Sequence, residues 1–153
     1  VQGFVITPQD TILDEIIISS LIPHRERMLL IREVVIIGDN DQERAMATLD
    51  LSHRLDLFEG HFPGWPILPG IFSQEALAQL GAISFLFHHR EEADKKFAFL
   101  QCDMRWRMQV KPNARLRLET SFCSRIGGAV KFRGKAYLNG DVAAEGIFIG
   151  GIV

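Results

Sequence analysis

One acid stands alone in the most apolar part of this chain: between Gly64 and Phe87 the only ionisable side chain is Glu75. Burying a carboxyl group among apolar residues disfavours its charged form, so a chain that carries one there needs a partner or a task for it. Fourteen residues upstream, His61 sits among prolines and glycines that restrict the backbone and so aim the side chain. Imidazole titrates near neutrality and can take and return a proton. A third component is a helix start at Gly70, where free N–H groups and the positive end of the helix dipole face outward and the missing Cβ lets a carbonyl approach. A base, a carboxylic acid and an oxyanion donor this close in sequence suit proton removal next to a carbonyl, followed by loss of a leaving group. Each residue also has a bland reading. Glu75 could accept a fold-stabilising hydrogen bond or reach solvent, and His61 could be a loop imidazole bonded to a carbonyl.

These groups need elements to hold them. Residues 60–70, GHFPGWPILPG, contain three prolines and three glycines, so they form a shaped loop rather than a helix or strand. Ile71 to Phe87 has one glycine and no proline, and its apolar residues point nearly all round, which predicts an enclosed helix beginning at Pro69-Gly70. Upstream, residues 7–20 read as a short helix. Met28 to Gly38 reads as a strand, Gly38-Asp39-Asn40-Asp41 as a turn and Gln42 to Asp50 as the second strand of a hairpin. From Phe97 the period changes to two. Met104-Arg105-Trp106-Arg107-Met108, Arg115-Leu116-Arg117-Leu118 and Val130-Lys131-Phe132-Arg133 predict long antiparallel strands with one buried face. Gly127-Gly128 and Asn139-Gly140 join them tightly, and Val142 to Ile149 closes the set. The sum is α+β: one domain over residues 1–153, with a buried helix wrapped by a curled antiparallel sheet.

Composition narrows the function. Nearly half the residues are apolar and about a quarter charged, as in globular domains. The span from Ile67 to Phe87 approaches membrane length, but Gln74, Glu75 and Gln79 at its middle argue against a crossing. Two cysteines, Cys102 and Cys123, make no disulfide framework and are expected as buried thiols. No secretory leader is visible at the start, so the cytoplasm is the expected compartment. His53, His88 and His89 have no spacing that suggests a metal site, and no cofactor fingerprint appears. Residues 95–135 hold eleven of the seventeen Lys and Arg but only Asp103 and Glu119 as acids, a bias that suits an acidic or phosphate-bearing partner.

The block His61-Phe62-Pro63-Gly64-Trp65-Pro66-Ile67-Leu68-Pro69-Gly70, running on to Glu75-Ala76-Leu77-Ala78-Gln79, resembles the signature of FabZ-type 3-hydroxyacyl-[acyl-carrier-protein] dehydratases. Ile22-Pro23-His24-Arg25 with Met28-Leu29-Leu30, and Phe132-Arg133-Gly134-Lys135-Ala136, resemble flanking motifs of that family. The likeness covers roughly residues 20–150. It implies a hot-dog fold acting as a homodimer, often a trimer of dimers, in which the histidine of one subunit faces the glutamate of its mate. It also implies the reaction: a (3R)-hydroxyacyl-acyl carrier protein loses water to give the trans-2-enoyl thioester, with no cofactor and no metal. Carried over, His61 takes the C2 proton, and Glu75, neutral through burial, protonates the departing hydroxyl. Gly70 bonds the thioester oxygen, with Phe72 and Gln79 beside it in substrate binding. Glu75 stands where the related isomerising enzymes carry Asp, which favours dehydration alone. The chain departs from the family at Glu26-Arg27-Met28, at Arg32 and at Pro112-Asn113-Ala114, away from the proposed chemistry.

Arg105 and Arg107, and Lys131 and Arg133, share strand faces and are candidates for steering an acidic carrier protein. With no aromatic residues interleaved on that face, nucleic acid is not the expected partner. Two other functions fit part of the pattern: a hot-dog thioesterase, with a carboxylate activating water, and an acyl-thioester-binding protein without turnover.

Overall fold

The structure is a computed structural model and describes residues 5–38 and 42–152. In chain order the elements are β1 (Thr11–Leu13), α1 (Glu15–Leu21), β2 (Val34–Ile36), β3 (Ala45–Asp50), α2 (Gly70–His88), β4 (Phe97–Trp106), β5 (Arg115–Ile126), β6 (Ala129–Leu138) and β7 (Asp141–Ile152). The strands form one antiparallel sheet in the order β1-β2-β3-β5-β6-β7-β4, and α2 packs against it. Alternation decides which face meets the helix. Leu116, Leu118 and Thr120 of β5, and Val130, Phe132 and Ala136 of β6, are buried, whereas Arg115, Lys131 and Arg133 are exposed. The helix answers with Ala76, Leu77, Leu80, Ile83 and Leu86, all 1% exposed or less. Asn139 and Gly140 take positive φ of 53° and 94°, the geometry of the tight hairpin expected there.

Burial is uneven along α2. From Gly81 to Leu86 every residue is buried, but Ile71 is exposed and Phe72, Gln74, Glu75 and Ala78 are only partly covered. The helix is therefore enclosed at its C-terminal half and open on one side of its N-terminal half, which corrects the expectation of enclosure throughout. β4 departs from expectation in the same way: none of its residues is buried, because it is an edge strand paired only with β7. Phe99, Leu100 and Trp106 are left exposed on it.

The N-terminal elements also differ from the sequence reading. The expected helix over residues 7–20 starts only at Glu15, because Asp14 caps it by accepting from the Ile17 N–H at 2.9 Å. Thr11–Leu13 pairs instead with Val34–Ile36. The expected strand from Met28 shrinks to Val34–Ile36: Glu26–Met28 is a 3-10 turn, and the Leu30 N–H bonds to the Gln79 side chain rather than to a strand. The strand expected from Gln42 begins at Ala45. β2 and β3 do pair antiparallel, while the turn expected at Gly38-Asp39-Asn40-Asp41 runs into residues 39–41, outside the described residues. Both cysteines are free thiols, but neither is buried as expected: Cys102 is partly covered on the edge strand β4, and Cys123 is exposed at a break in the β5–β6 register between Phe122 and Ser124. No helix among the described residues is long and apolar enough to cross a membrane.

Helix and sheet approach closely at Gly81, where an added Cβ would lie 2.2 Å from the Phe132 ring. That ring is buried and stacked on Phe148 at 5.3 Å, so it has little room to yield. Gly81→Ala is expected to destabilise the protein by about 1–3 kcal/mol, read as a lower urea midpoint with unchanged m-value.

Candidate active site

Residues 61–67 close on themselves. The His61 carbonyl accepts from the Ile67 N–H at 2.8 Å, the His61 N–H donates to the Phe58 carbonyl at 3.0 Å, and Phe62 and Trp65 exchange backbone bonds of 3.2 and 3.0 Å. The Leu68 N–H then ties the loop to the Val110 carbonyl at 2.8 Å. Within this frame the His61 ring stacks on Phe62 at 4.2 Å, and its Nδ1 lies 2.8 Å from the Ile67 carbonyl. A carbonyl can only accept, so Nδ1 carries the hydrogen and, in the neutral ring, Nε2 keeps the lone pair. The loop-carbonyl bond foreseen as a merely structural use of His61 thus also fixes the tautomer that a base needs.

Glu75 sits one turn into α2 from Gly70, with its side chain 29% exposed. Oε1 lies 3.1 Å from Nε2 of His24 and 2.8 Å from Nε2 of Gln79. Gln79, 1% exposed, is itself anchored: its amide donates to the Met28 carbonyl at 2.7 Å and accepts from the Leu30 N–H at 3.1 Å. The hydrogen bond from His24 holds the Glu75 carboxyl below the ordinary carboxylate value, against the upward push of burial, with Gln79 adding to it. This runs against the expectation that burial keeps Glu75 neutral: within one chain, its donors favour the carboxylate. Because its folded-state value is lowered, the associated stabilisation is fully present above the ordinary carboxylate value and is lost as pH falls through the lowered one.

Gly70 opens α2, and its N–H has no acceptor among the described residues. Its carbonyl accepts from the Trp106 indole N–H at 3.1 Å and from the Ser73 hydroxyl at 2.8 Å. A Cβ on residue 70 would lie 2.6 Å from the indole, so glycine is what lets β4 reach the helix tip. Ile67, Leu68, Gly70, Ile71, Trp106 and Met108 line an apolar groove of about 450 Å³ beside it. Phe72 is partly buried against the core. A larger concavity, about 880 Å³, lies around Lys111, Arg115, Arg117 and Tyr137, and none of His61, Gly70 and Glu75 lines it.

Among the described residues, no hydrogen bond or ion pair joins His61 to Glu75 within the chain. Nor is there a group of three His, Cys, Asp or Glu side chains placed to hold a metal. Arg105, Arg107, Lys131 and Arg133 lie on the sheet, but acids interleave with them. Arg107 pairs with Glu145, Arg105 stands opposite Glu145 in the β4–β7 register, and Asp103 and Arg133 share a recess with both Arg105 and Glu145. The sequence reading missed the contacts of two residues. His24 appeared only as part of a flanking motif, and Trp106 only as one apolar position in an alternating strand; no local pattern says that either reaches α2.

A family model of the FabA-like domain matches residues 22–147. The 3-hydroxyacyl-[acyl-carrier-protein] dehydratase FabZ of Halalkalibacterium halodurans is 39% identical over 130 residues, 84% of this chain and 90% of that protein. The FabZ of Pelotomaculum thermopropionicum is 37% identical over 129 residues, with the same coverage of each. Among solved structures, the dehydratase heterocomplex ApeI:P from Xenorhabdus doucetiae aligns with a TM-score of 0.70 at 19% identity, over 89% of this chain and 90% of that one. The TT0310 protein from Thermus thermophilus aligns with a TM-score of 0.61 at 13% identity, over 85% and 100%. At those identities the structural likeness speaks for the fold, a hot-dog in which the sheet wraps one long helix. The chain belongs to the FabA-like family, among its FabZ-type 3-hydroxyacyl-[acyl-carrier-protein] dehydratases.

Gln79→Leu removes the acceptor of the buried Leu30 N–H and one donor to Glu75. It is expected to lower the unfolding free energy by about 1–3 kcal/mol in urea denaturation, with the larger part arising from the orphaned N–H.

Proposed function

We propose that the dehydration is carried out by His61 of one copy of the chain and Glu75 of a second, on a 3-hydroxyacyl group borne by an acyl carrier protein in the cytoplasm. The observation that carries this reading is the pair of free valences. His61 presents an unprotonated Nε2, Glu75 has its Oε2 outside the two bonds made by Oε1, and neither residue is engaged with the other in one chain. The half-open side of α2 and the exposed Phe62, Trp65, Ile71 and Trp106 form apolar surface of the kind a second copy covers. Edge strand β4, paired on one side only, offers its other side to the β4 of that copy.

In this arrangement the 3-hydroxyl donates to Oε2 of Glu75 while His61 Nε2 removes a proton from C2. Negative charge moves onto the thioester oxygen, which accepts from the Gly70 N–H at the positive end of α2. The C3–O bond then breaks and its electron pair leaves with the oxygen. The imidazolium returns the proton to that oxygen, giving water and the 2-enoyl thioester, and His61 regains its starting form. Because Glu75 is ionised at rest, His61 is both base and acid, and Glu75 orients the hydroxyl. Phe72 and Gln79 flank this site, the first as apolar wall and the second through its hold on Glu75. Arg105, Arg107, Lys131 and Arg133 are proposed to receive the acidic carrier, with Arg105 and Arg133 favoured because Arg107 is already paired with Glu145.

His61→Ala and Glu75→Gln are each expected to cut turnover of a 3-hydroxyacyl-carrier thioester by about 10²–10⁴-fold, with folding intact, the first through loss of proton transfer and the second through loss of orientation of the hydroxyl. Mixing the two dead variants under conditions of subunit exchange is expected to restore about a quarter of wild-type activity. Half the dimers are then mixed, and each has one intact site of two. Exchange without any recovery would place both residues in the same chain's site.

A further inference from the structure

His24 is not part of the base, acid and oxyanion set, yet it is the group in hydrogen-bond contact with Glu75 from another part of the chain. Its neighbour fixes its place. Arg25 donates to the carbonyls of Ser19 at 2.7 Å, Ile22 at 2.8 Å and His24 itself at 2.7 Å. It thereby satisfies the free carbonyls at the end of α1 and holds residue 24 against α2. The ring's Nδ1 is buried and without a partner, so its hydrogen bonding runs through Nε2 alone, toward Glu75. From its own helix, Glu75 receives the Gln79 amide on that same Oε1.

We propose that His24 is a positioning residue for the dehydration: its Nε2–H and the Gln79 amide both hold Oε1 of Glu75, so that Oε2 alone is presented to the substrate's 3-hydroxyl. A free carboxylate rotates about its last torsion and exchanges its two oxygens. With one oxygen held by donors from two different elements, the other keeps a fixed direction. That is the requirement for a group whose task is to orient a hydroxyl relative to a base. The same bond keeps Glu75 in the ionised form that can accept from that hydroxyl. Within one chain, among the described residues, His24 is the titratable group acting on Glu75. In the proposed dimer the His61 of the second copy joins it. The inference rests on the dehydratase reading of the site.

The test compares His24→Asn, whose amide is too short to reach Oε1, with His24→Gln, whose amide nitrogen falls near the place of Nε2. Turnover of a 3-hydroxyacyl-carrier thioester is measured alongside a pH titration of the Glu75 carboxyl by ¹³C NMR, with the resonance assigned by its loss in Glu75→Gln. His24→Asn is expected to lower kcat by about 10- to 100-fold, leave KM within about twofold, and move the Glu75 midpoint to higher pH. His24→Gln is expected to restore most of both. The proposal is overturned if His24→Asn keeps wild-type kcat, if kcat falls while the Glu75 midpoint stays in place, or if His24→Gln restores neither. Should His24→Asn fail to fold, His24→Gln with a wild-type midpoint and kcat supports the proposal, and a folded His24→Gln lacking either overturns it. Wild-type protein in the same assay separates the two layers: absence of dehydration there defeats the dehydratase reading itself, whatever His24 does.

Discussion

Desolvation of Glu75 is offset by two N–H donors on one oxygen, and each donor is held by something else. Gln79 can donate to Glu75 only because its own amide is locked to the backbone at Met28 and Leu30. His24 can do so only because Arg25 fastens the end of α1. An apolar helix thus carries two polar side chains near its middle, and the segment from Ser19 to Leu30 runs beside it to complete their hydrogen bonds. Remove that segment and the helix would hold a partly buried carboxylate and a buried amide with no partners, each a costly group. The irregular backbone near residue 30 fits this, since the Met28 carbonyl and the Leu30 N–H serve the Gln79 side chain rather than a neighbouring strand.

The same constraint explains what could be read in the sequence. α2, the shaped loop before it and the strands β5 to β7 were legible because each follows from local pattern: apolar all round, prolines and glycines in series, or strict alternation with tight turns between. His61, Gly70 and Glu75 are legible as candidates from their types and spacing and from the motif they resemble. The stretch from Met28 was misread because Leu29, Leu30 and Ile31 are as apolar as any strand, while the partner that takes the Leu30 N–H lies forty-nine residues away. The contact of His24 with Glu75 is not legible in the sequence for the same reason, since it is tertiary. The ionisation of Glu75 was misjudged because burial was weighed without the donors that oppose it. Cys123 was misplaced by a register break that leaves no mark in the pattern.

Part of the exposed apolar surface lies around the candidate site. Phe62, Trp65, Ile71, Trp106 and Met108 stand around the loop and the start of α2, whereas the far half of the helix is sealed. Strand β4 leaves one side of the sheet unpaired, with Phe99 and Leu100 exposed beside the break in its register between Phe99 and Gln101. In the proposed dimer, one further copy of the chain would both cover the open side of the helix and pair with the free edge of the sheet.

An ionised Glu75 also changes what the histidine must do. If the acid were neutral, it could supply the leaving group's proton and be refilled from solvent, and each turnover would need two separate proton exchanges. In the proposed mechanism, with the carboxylate already formed, the proton taken from C2 is the one that leaves in the water, and the site returns to its starting state without solvent. That cycle requires the base to reach both C2 and the 3-oxygen from one position, which places them on the same side of the substrate. It also requires the carboxylate to hold the hydroxyl there until the imidazolium delivers. A frame in which Nδ1 of His61 is fixed by a loop carbonyl, and Oε1 of Glu75 by two donors, suits that proposed cycle by leaving one atom on each residue outside these bonds.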